Sequence, residues 1–332
     1  MLKSLKTAGV ISALSLSTTA VEAKQVVCVF DLLGTSGDVY AEMRDYALAA
    51  RNWGADITLK PYTDERVAAE DFKAGQCDGV AVTGMRGRQF NSFTGSIDSI
   101  GALPSYSLTR SVMQLVARPQ LAPDMVQGSY EVVGVTPMGA AYLFVNDREL
   151  NSLTKASGKK VAVLSYDKAQ ALLVQRAGAQ PVMADITTFG GLFNNGQVDV
   201  IGAPALAFKP LELYKGLGTQ GAIVKFPVLQ VTGNLIINKN KFPAGYGQKS
   251  REWVASRIPR AIETIERLES EIPSRYWMEI SANDQVGYIK LMREARIQLT
   301  KEGIYHPKMM SLMKKVRCLQ LPSSFECQLK DE

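Results

Sequence analysis

Apolar positions along this chain fall into short runs separated by longer stretches of helical spacing. Val26-Val27-Cys28-Val29-Phe30 is one such run; a helical stretch from Val39 to Asn52 follows, then the turn Gly54-Ala55 and a strand Ile57-Thr58-Leu59. The same order returns as Val161-Ala162-Val163-Leu164, a helical stretch from Lys168 to Arg176, the turn Gly178-Ala179 and Pro181-Val182-Met183. Both copies close alike: Phe72-Lys73-Ala74-Gly75-Gln76-Cys77-Asp78 corresponds to Phe193-Asn194-Asn195-Gly196-Gln197-Val198-Asp199, and each runs into an apolar strand, 79–82 and 200–203. Short apolar strands alternating with amphipathic helices, without tight hairpin signals, predict βαβ crossovers and parallel sheets buried on both faces. The expected fold class is α/β, with two Rossmann-like lobes of mainly parallel sheet. Ligands of such sheets sit beyond the carboxyl ends of the strands, so two facing lobes make a cleft.

Between the copies, Ser129 to Asn146 reads as strands leading out of the first lobe, and Val231 to Ile237 leads out of the second. Two such crossings are what a hinge needs. In the tail, Trp253, Val254, Ile258, Ile262, Ile265 and Leu268 recur at helical spacing within 251–271, and Pro273 ends the helix. Another helix is expected over 283–300, with Ser281 as its N-cap. These helices are read as braces across the lobes. The expected domains are residues 24–140 with 235–275, and 141–234 with 276–332.

Composition adds the compartment. Lys3 and Lys6, an apolar stretch from Gly9 to Leu16 and the small-residue exit Val21-Glu22-Ala23 have the order of a cleavable signal peptide spanning residues 1–23. No later stretch approaches the ~18 uninterrupted apolar residues of a membrane span. The expected product is exported and soluble in the periplasm, with no membrane insertion after cleavage. The formal charge of +6 is spread thinly, with Lys159-Lys160 and Lys314-Lys315 the densest basic pairs, so nucleic acid is not an expected partner. An exported chain with four cysteines invites disulfides, and three pairings are possible besides four free thiols. Cys318 and Cys327 flank the short loop Leu321-Pro322-Ser323-Ser324, which favours their pairing and leaves Cys28 to Cys77. The first and third strands of a βαβαβ unit lie side by side, which agrees with that second bridge.

The order of these parts resembles the DctP-type extracytoplasmic solute receptors of TRAP transporters over nearly all of the chain after residue 23. The matching pieces are Ala74-Gly75-Gln76-Cys77-Asp78-Gly79, Leu103-Pro104, Ser157-Gly158-Lys159-Lys160-Val161, Gly196-Gln197-Val198-Asp199 leading to Pro204, and Leu211-Glu212-Leu213-Tyr214. The resemblance implies a hinged, periplasmic-binding-protein-like pair of lobes that delivers a small-molecule solute to membrane transporter subunits. Two positions depart from it. Members that bind organic acids hold the carboxylate with an arginine two residues past the Gly-Lys-Lys run, where this chain has Ala162; a second basic position, just after the glycine matching Gly139, is Ala141. The chain also looks like the narrower AdeT-type branch, sometimes labelled as efflux components of the RND class. A pump subunit of that class needs many membrane spans, so any efflux role would be indirect.

No catalytic constellation stands out. The single histidine, His306, precedes Pro307 in the helical tail without an evident acid/base partner, and neither a metal site nor a cofactor is expected. Ligand contacts are expected at the strand ends. Asp31 ends the first strand, and Gly34-Thr35-Ser36-Gly37-Asp38 opens the following helix, where Thr35, Ser36, Asp38 and free backbone N–H groups can meet a polar solute. Thr83-Gly84-Met85-Arg86-Gly87-Arg88 ends the third strand, and Arg86 and Arg88 can grip an anion there. In the second lobe Tyr166, Asp167, Pro204 and Phe208 occupy the equivalent places. The expected mechanism is capture by closure, with an accessory or sensor role, or a periplasmic enzyme on the same fold, as alternatives.

Overall fold

The computed structural model describes residues 24–332; the signal peptide expected over 1–23 lies outside the described residues. Ten strands run in chain order: β1 (Gln25–Phe30), β2 (Ile57–Tyr62), β3 (Gly79–Thr83), β4 (Val126–Gln127), β5 (Tyr130–Val145), β6 (Lys160–Leu164), β7 (Gln180–Ala184), β8 (Val200–Pro204), β9 (Ala222–Asn238) and β10 (Trp277–Met278). Between and after them come the helices α1 (Asp38–Ala50), α2 (Glu65–Lys73), α3 (Gly84–Gly87), α4 (Ser92–Gly95), α5 (Tyr106–Val116), α6 (Lys168–Arg176), α7 (Ile186–Asn194), α8 (Tyr214–Leu217), α9 (Tyr246–Ser270), α10 (Ala282–Lys301) and α11 (Pro307–Gln320). None of the described helices is long and apolar enough to cross a membrane.

The strands form one sheet in the order β2-β1-β3-β9-β5-β8-β6-β7. β1 pairs in parallel with β2 and β3, and β6 with β7 and β8, as alternating strands and helices require. β5 and β9 are different. They are long enough to run through both halves of the sheet, and because one leads out and the other returns, they are antiparallel to each other and to β8 and β3. Their pairing breaks register between Pro137 and Gly139 and again between Ala141 and Leu143. Gly139 sits between these irregularities at φ 111°, where a side chain is strained and a Cβ would approach Ile265 at 3.2 Å.

The duplication is visible bond for bond. In the first half Gly75 N donates to Phe72 O (3.1 Å), Gln76 N to Asp71 O (2.9 Å) and Asp78 N to Val26 O (2.7 Å), while the Asp78 carboxylate accepts from Val26 N (2.9 Å). In the second, Gly196 N donates to Phe193 O (3.0 Å), Gln197 N to Leu192 O (2.9 Å) and Asp199 N to Lys160 O (2.8 Å), and the Asp199 carboxylate accepts from Lys160 N (2.8 Å). Gly75 and Gly196 both have positive φ, 75° and 66°, as a residue closing a helix in the left-handed region must. Phe72 and Phe193 are both buried.

Both disulfides form, Cys28–Cys77 beside β1 and β3 and Cys318–Cys327 at the tail, with Cα separations of 5.9 and 5.5 Å. Helix α9 begins at Tyr246, earlier than the spacing of its apolar residues indicates, and passes Gly247, where a Cβ would collide with the Glu131 carboxylate. Its first turns are tied to α1 through Tyr46 Oη, which bonds Tyr246 Oη (2.5 Å) and Ser250 Oγ (2.7 Å), and to β5 through Arg251 and Glu131 (2.7 Å). Its end lies by the second half, where Tyr142 donates to Glu269 (3.1 Å). Helix α10 is capped by Ser281, as expected, and packs on α6, where Arg176 meets Glu294 and Gln298. Helix α11 packs instead on α5, with Gln320 bonded to Ser107 and Ser111. The tail thus touches both halves of the sheet.

Candidate functional site

A cavity of about 870 Å³ opens where the carboxyl ends of β1, β3, β6 and β8 converge. Its lining includes Phe30 at the end of β1 and Asp31 just past it, Thr83 at the end of β3, Leu164 from β6 and the segment from Gly202 to Leu211 around the end of β8. Helices α1 and α9 supply one wall, through residues such as Met43, Trp253 and Thr264. Of the expected ligand contacts, Asp31, Asp38, Thr83, Pro204 and Phe208 line this space; Thr35 and Ser36 are exposed on the turn beside it.

The turn after β1 is occupied by its own acid. Asp31 is buried, and its carboxylate accepts from Leu33 N (2.9 Å) and Tyr40 N (3.0 Å) at the start of α1. Gly37 is needed for that arrangement, because a Cβ there would lie about 2 Å from the Asp31 carboxylate. The N–H groups expected to meet a solute are therefore largely satisfied internally: Ser36 N and Gly37 N donate to Leu33 O and Gly34 O.

The arginines expected to grip an anion grip the other half of the protein. Tyr166 Oη, just past β6, donates to Glu65 Oε1 at the start of α2, and the Arg86 guanidinium lies 3.4 Å over the Tyr166 ring and 3.8 Å from Glu65. Thr83 Oγ1 donates to the other Glu65 oxygen (2.7 Å). Beside this group, Arg88 Nη1 pairs with Asp167 Oδ1 (3.1 Å), its Nε donates to Gly95 O (3.0 Å), and its guanidinium lies over Tyr305 (5.2 Å). Glu65 is wholly buried and Asp167 is 3% exposed. Burial pushes the Glu65 carboxyl up, opposed by hydrogen bonds from Tyr166 and Thr83 and by Arg86. Thr83, Arg86, Arg88, Tyr166 and Asp167 are thus brought together, but into a bridge between the two sets of strand ends, with neither arginine facing the cavity.

A family model described as solute-binding protein AdeT 1/2 matches residues 37–332. The chain belongs to this AdeT1/2 family. The probable solute-binding protein AdeT1 of Acinetobacter baumannii is 56% identical over 304 residues, covering 92% of this chain and 100% of that protein. The probable solute-binding protein AdeT2 of the same organism is 28% identical over 235 residues, 71% of this chain and 99% of that one. Among solved structures, a TRAP periplasmic solute binding protein from Ralstonia eutropha with bound (S)-2-acetolactate superposes with a TM-score of 0.72, at 12% identity, over 88% of this chain and 98% of that one. The α/β fold of this AdeT1/2 protein is that of TRAP periplasmic solute-binding proteins, as the order of sequence motifs indicates.

Sequence alone misses several residues of this AdeT1/2 site. Glu65 follows the N-cap Asp64 and reads as an ordinary first-turn acid, and Gln170, which reaches Met85 Sδ (3.4 Å), sits on a solvent-spaced helix. Asp98 lies in no regular element yet is 1% exposed, accepting from Thr232 Oγ1 (2.5 Å) and Thr232 N (3.2 Å). His306 takes no part in the cavity; its ring packs edge-on against Phe93.

Burial pushes the Asp98 carboxyl up to about 7, against the two Thr232 hydrogen bonds and Arg88, with Asp167 adding to the rise. A raised folded-state value means that Asp98 favours folding while protonated. That contribution is complete below the ordinary carboxylate range and is lost as pH climbs to about 7. Stability against urea is expected to fall on the order of 1 kcal/mol per pH unit across that window from this group. Asp98→Asn is expected to flatten the slope; an unchanged slope in the variant would assign the pH dependence elsewhere.

Proposed function

We propose that this protein is a periplasmic receptor that captures a small solute between two hinged lobes and presents the closed form to membrane transporter subunits. The lobes are β1 to β3 with α1 to α5, and β6 to β8 with α6 to α8, and the solute sits against Asp31, Asp38, Thr83, Pro204 and Phe208. The observation that carries this reading is the bridge of Glu65, Thr83, Arg86 and Arg88 to Tyr166 and Asp167, beside a cavity of about 870 Å³. Contacts of this kind exist only while the strand ends face each other. A solute touching both lobes therefore stabilises the closed form by its differential affinity for it. Hinge bending is accommodated where β5 and β9 lose register around Gly139.

Native mass spectrometry of freshly purified protein is expected to show one small molecule retained per chain, released on denaturation. Tyr166→Phe with Asp167→Asn removes a hydroxyl donor to Glu65 and the counter-charge of Arg88. Charge-assisted bonds contribute about 1.5–3 kcal/mol each, so the retained solute is expected to bind at least tenfold more weakly to the double variant. Distance measurements between labels on the two lobes should show the open form gaining population. Unaltered affinity and an unaltered distance distribution would remove the bridge from the closing mechanism.

A further inference from the structure

Resting on the reading of the cavity as the solute site, we infer that its ligand is an uncharged, predominantly apolar molecule of drug-like size. The deep walls are hydrocarbon: Met138, Leu164, Phe189, Leu206 and Phe208 line the space together with the small side chain of Ala162. The charged groups around it are already engaged. Asp31 is held by the backbone of its own turn, and Glu65 by Thr83, Tyr166 and Arg86. Arg257 pairs with Glu42 (3.0 Å) and Asp45 (3.5 Å), and Lys209 and Arg267 both pair with Glu271 (2.6 Å). Asp38, Arg44 and Arg260, which also line the cavity, are exposed at its mouth and keep their hydration.

A carboxylate or ammonium moved in among the hydrocarbon walls loses its water and meets no counter-charge there, which costs several kcal/mol. An apolar body loses nothing and gains about 25 cal/mol for each Å² removed from water. A volume of about 870 Å³ is near the upper end of the range for pockets that enclose drug-sized ligands.

Gly202 makes the inference testable. It pairs with Leu143 in the β8–β5 ladder, lines the cavity, and a Cβ built on it meets nothing within 4 Å. A side chain there enters the cavity and displaces no protein atom near the backbone. The test is titration of the full chain with two fluorescent probes of one skeleton, neutral N-phenylnaphthylamine and its anionic sulfonate, anilinonaphthalene sulfonate. The expected result is one neutral probe per chain, bound at least tenfold more tightly than the sulfonate. Gly202→Leu should abolish binding with little change in Tm, and Gly202→Arg should reverse the preference. A sulfonate that binds as tightly or more tightly, and is lost in Gly202→Leu, overturns the ligand class while leaving the cavity as a solute site. Binding that ignores Gly202→Leu for both probes overturns the cavity as the site as well. The ratio in the unmodified chain decides the class by itself, so a variant that misfolds does not blunt the test.

Discussion

Arg296→Met is expected to destabilise the protein by about 3–5 kcal/mol, the usual cost of stripping one partner from a buried ion cluster. Arg296 is 1% exposed, and its guanidinium is bonded to Glu332 (2.6 Å), Glu326 (2.7 Å) and Ile100 O (3.0 Å). Arg317 meets the same two carboxylates at 3.0 and 3.1 Å and donates to Ala102 O (2.9 Å). Burial pushes the Glu332 carboxyl up, but the two arginines reverse this and hold it below the ordinary range. Methionine fills much of the same volume, so the loss measured is chiefly that of charge and hydrogen bonds. Two acids would then face Arg317 alone, and Ile100 O would lose its donor. Adding Glu326→Gln should recover part of the loss by removing one of the stranded charges. A urea midpoint shift corresponding to less than about 1 kcal/mol would mean that water reaches the cluster and that it holds α10 and α11 only weakly.

The second large effect concerns the bridge within the first half. Cys28→Ala with Cys77→Ala is expected to cost about 4 kcal/mol, from the loop entropy of a 49-residue separation, against about 3 kcal/mol for Cys318→Ala with Cys327→Ala across nine. Packing widens the difference. Cys28 and Cys77 are both within the core, at 0% and 3% exposure, whereas Cys327 lies in the half-buried tail. Guanidinium unfolding of the two double variants side by side checks the order. Equal losses, or a larger loss at the tail, would show that the unfolded chain is not relieved by breaking the longer loop.

Local features were legible in the sequence, and contacts between distant segments were not. The repeated Gly-Gln and aspartate positions imply the same turn twice because a left-handed glycine and a carboxylate bonding a strand N–H are set within a few residues of chain. Helix α6, the cap of α10 and the Cys318–Cys327 pair follow from spacing for the same reason, while Cys28–Cys77 follows from the rule that the first and third strands of such a unit lie side by side. By contrast, nothing near Arg86 or Arg88 announces Tyr166 and Asp167, about 80 residues away, as their partners. Arginine between glycines at a strand end serves equally for an anionic ligand or for a facing acid; only tertiary geometry decides. Asp98 was hidden because an acid in an irregular segment normally faces water, and its burial depends on Thr232 from β9. The early start of α9 was hidden by Gly245 and Gly247, which read as a loop until Glu131 is seen lying over the helix.

The paired turns at Gly75 and Gly196 also supply the molecule with an internal standard. Since the same donors and acceptors recur at nearly the same lengths, any difference in amide exchange between Gln76 and Gln197 reflects their surroundings and not their own bonding. One turn adjoins a cystine at Cys77 and the other carries Val198 at that place, so the contrast between their exchange rates reads out, within one chain, how much a covalent tie stiffens otherwise equivalent architecture.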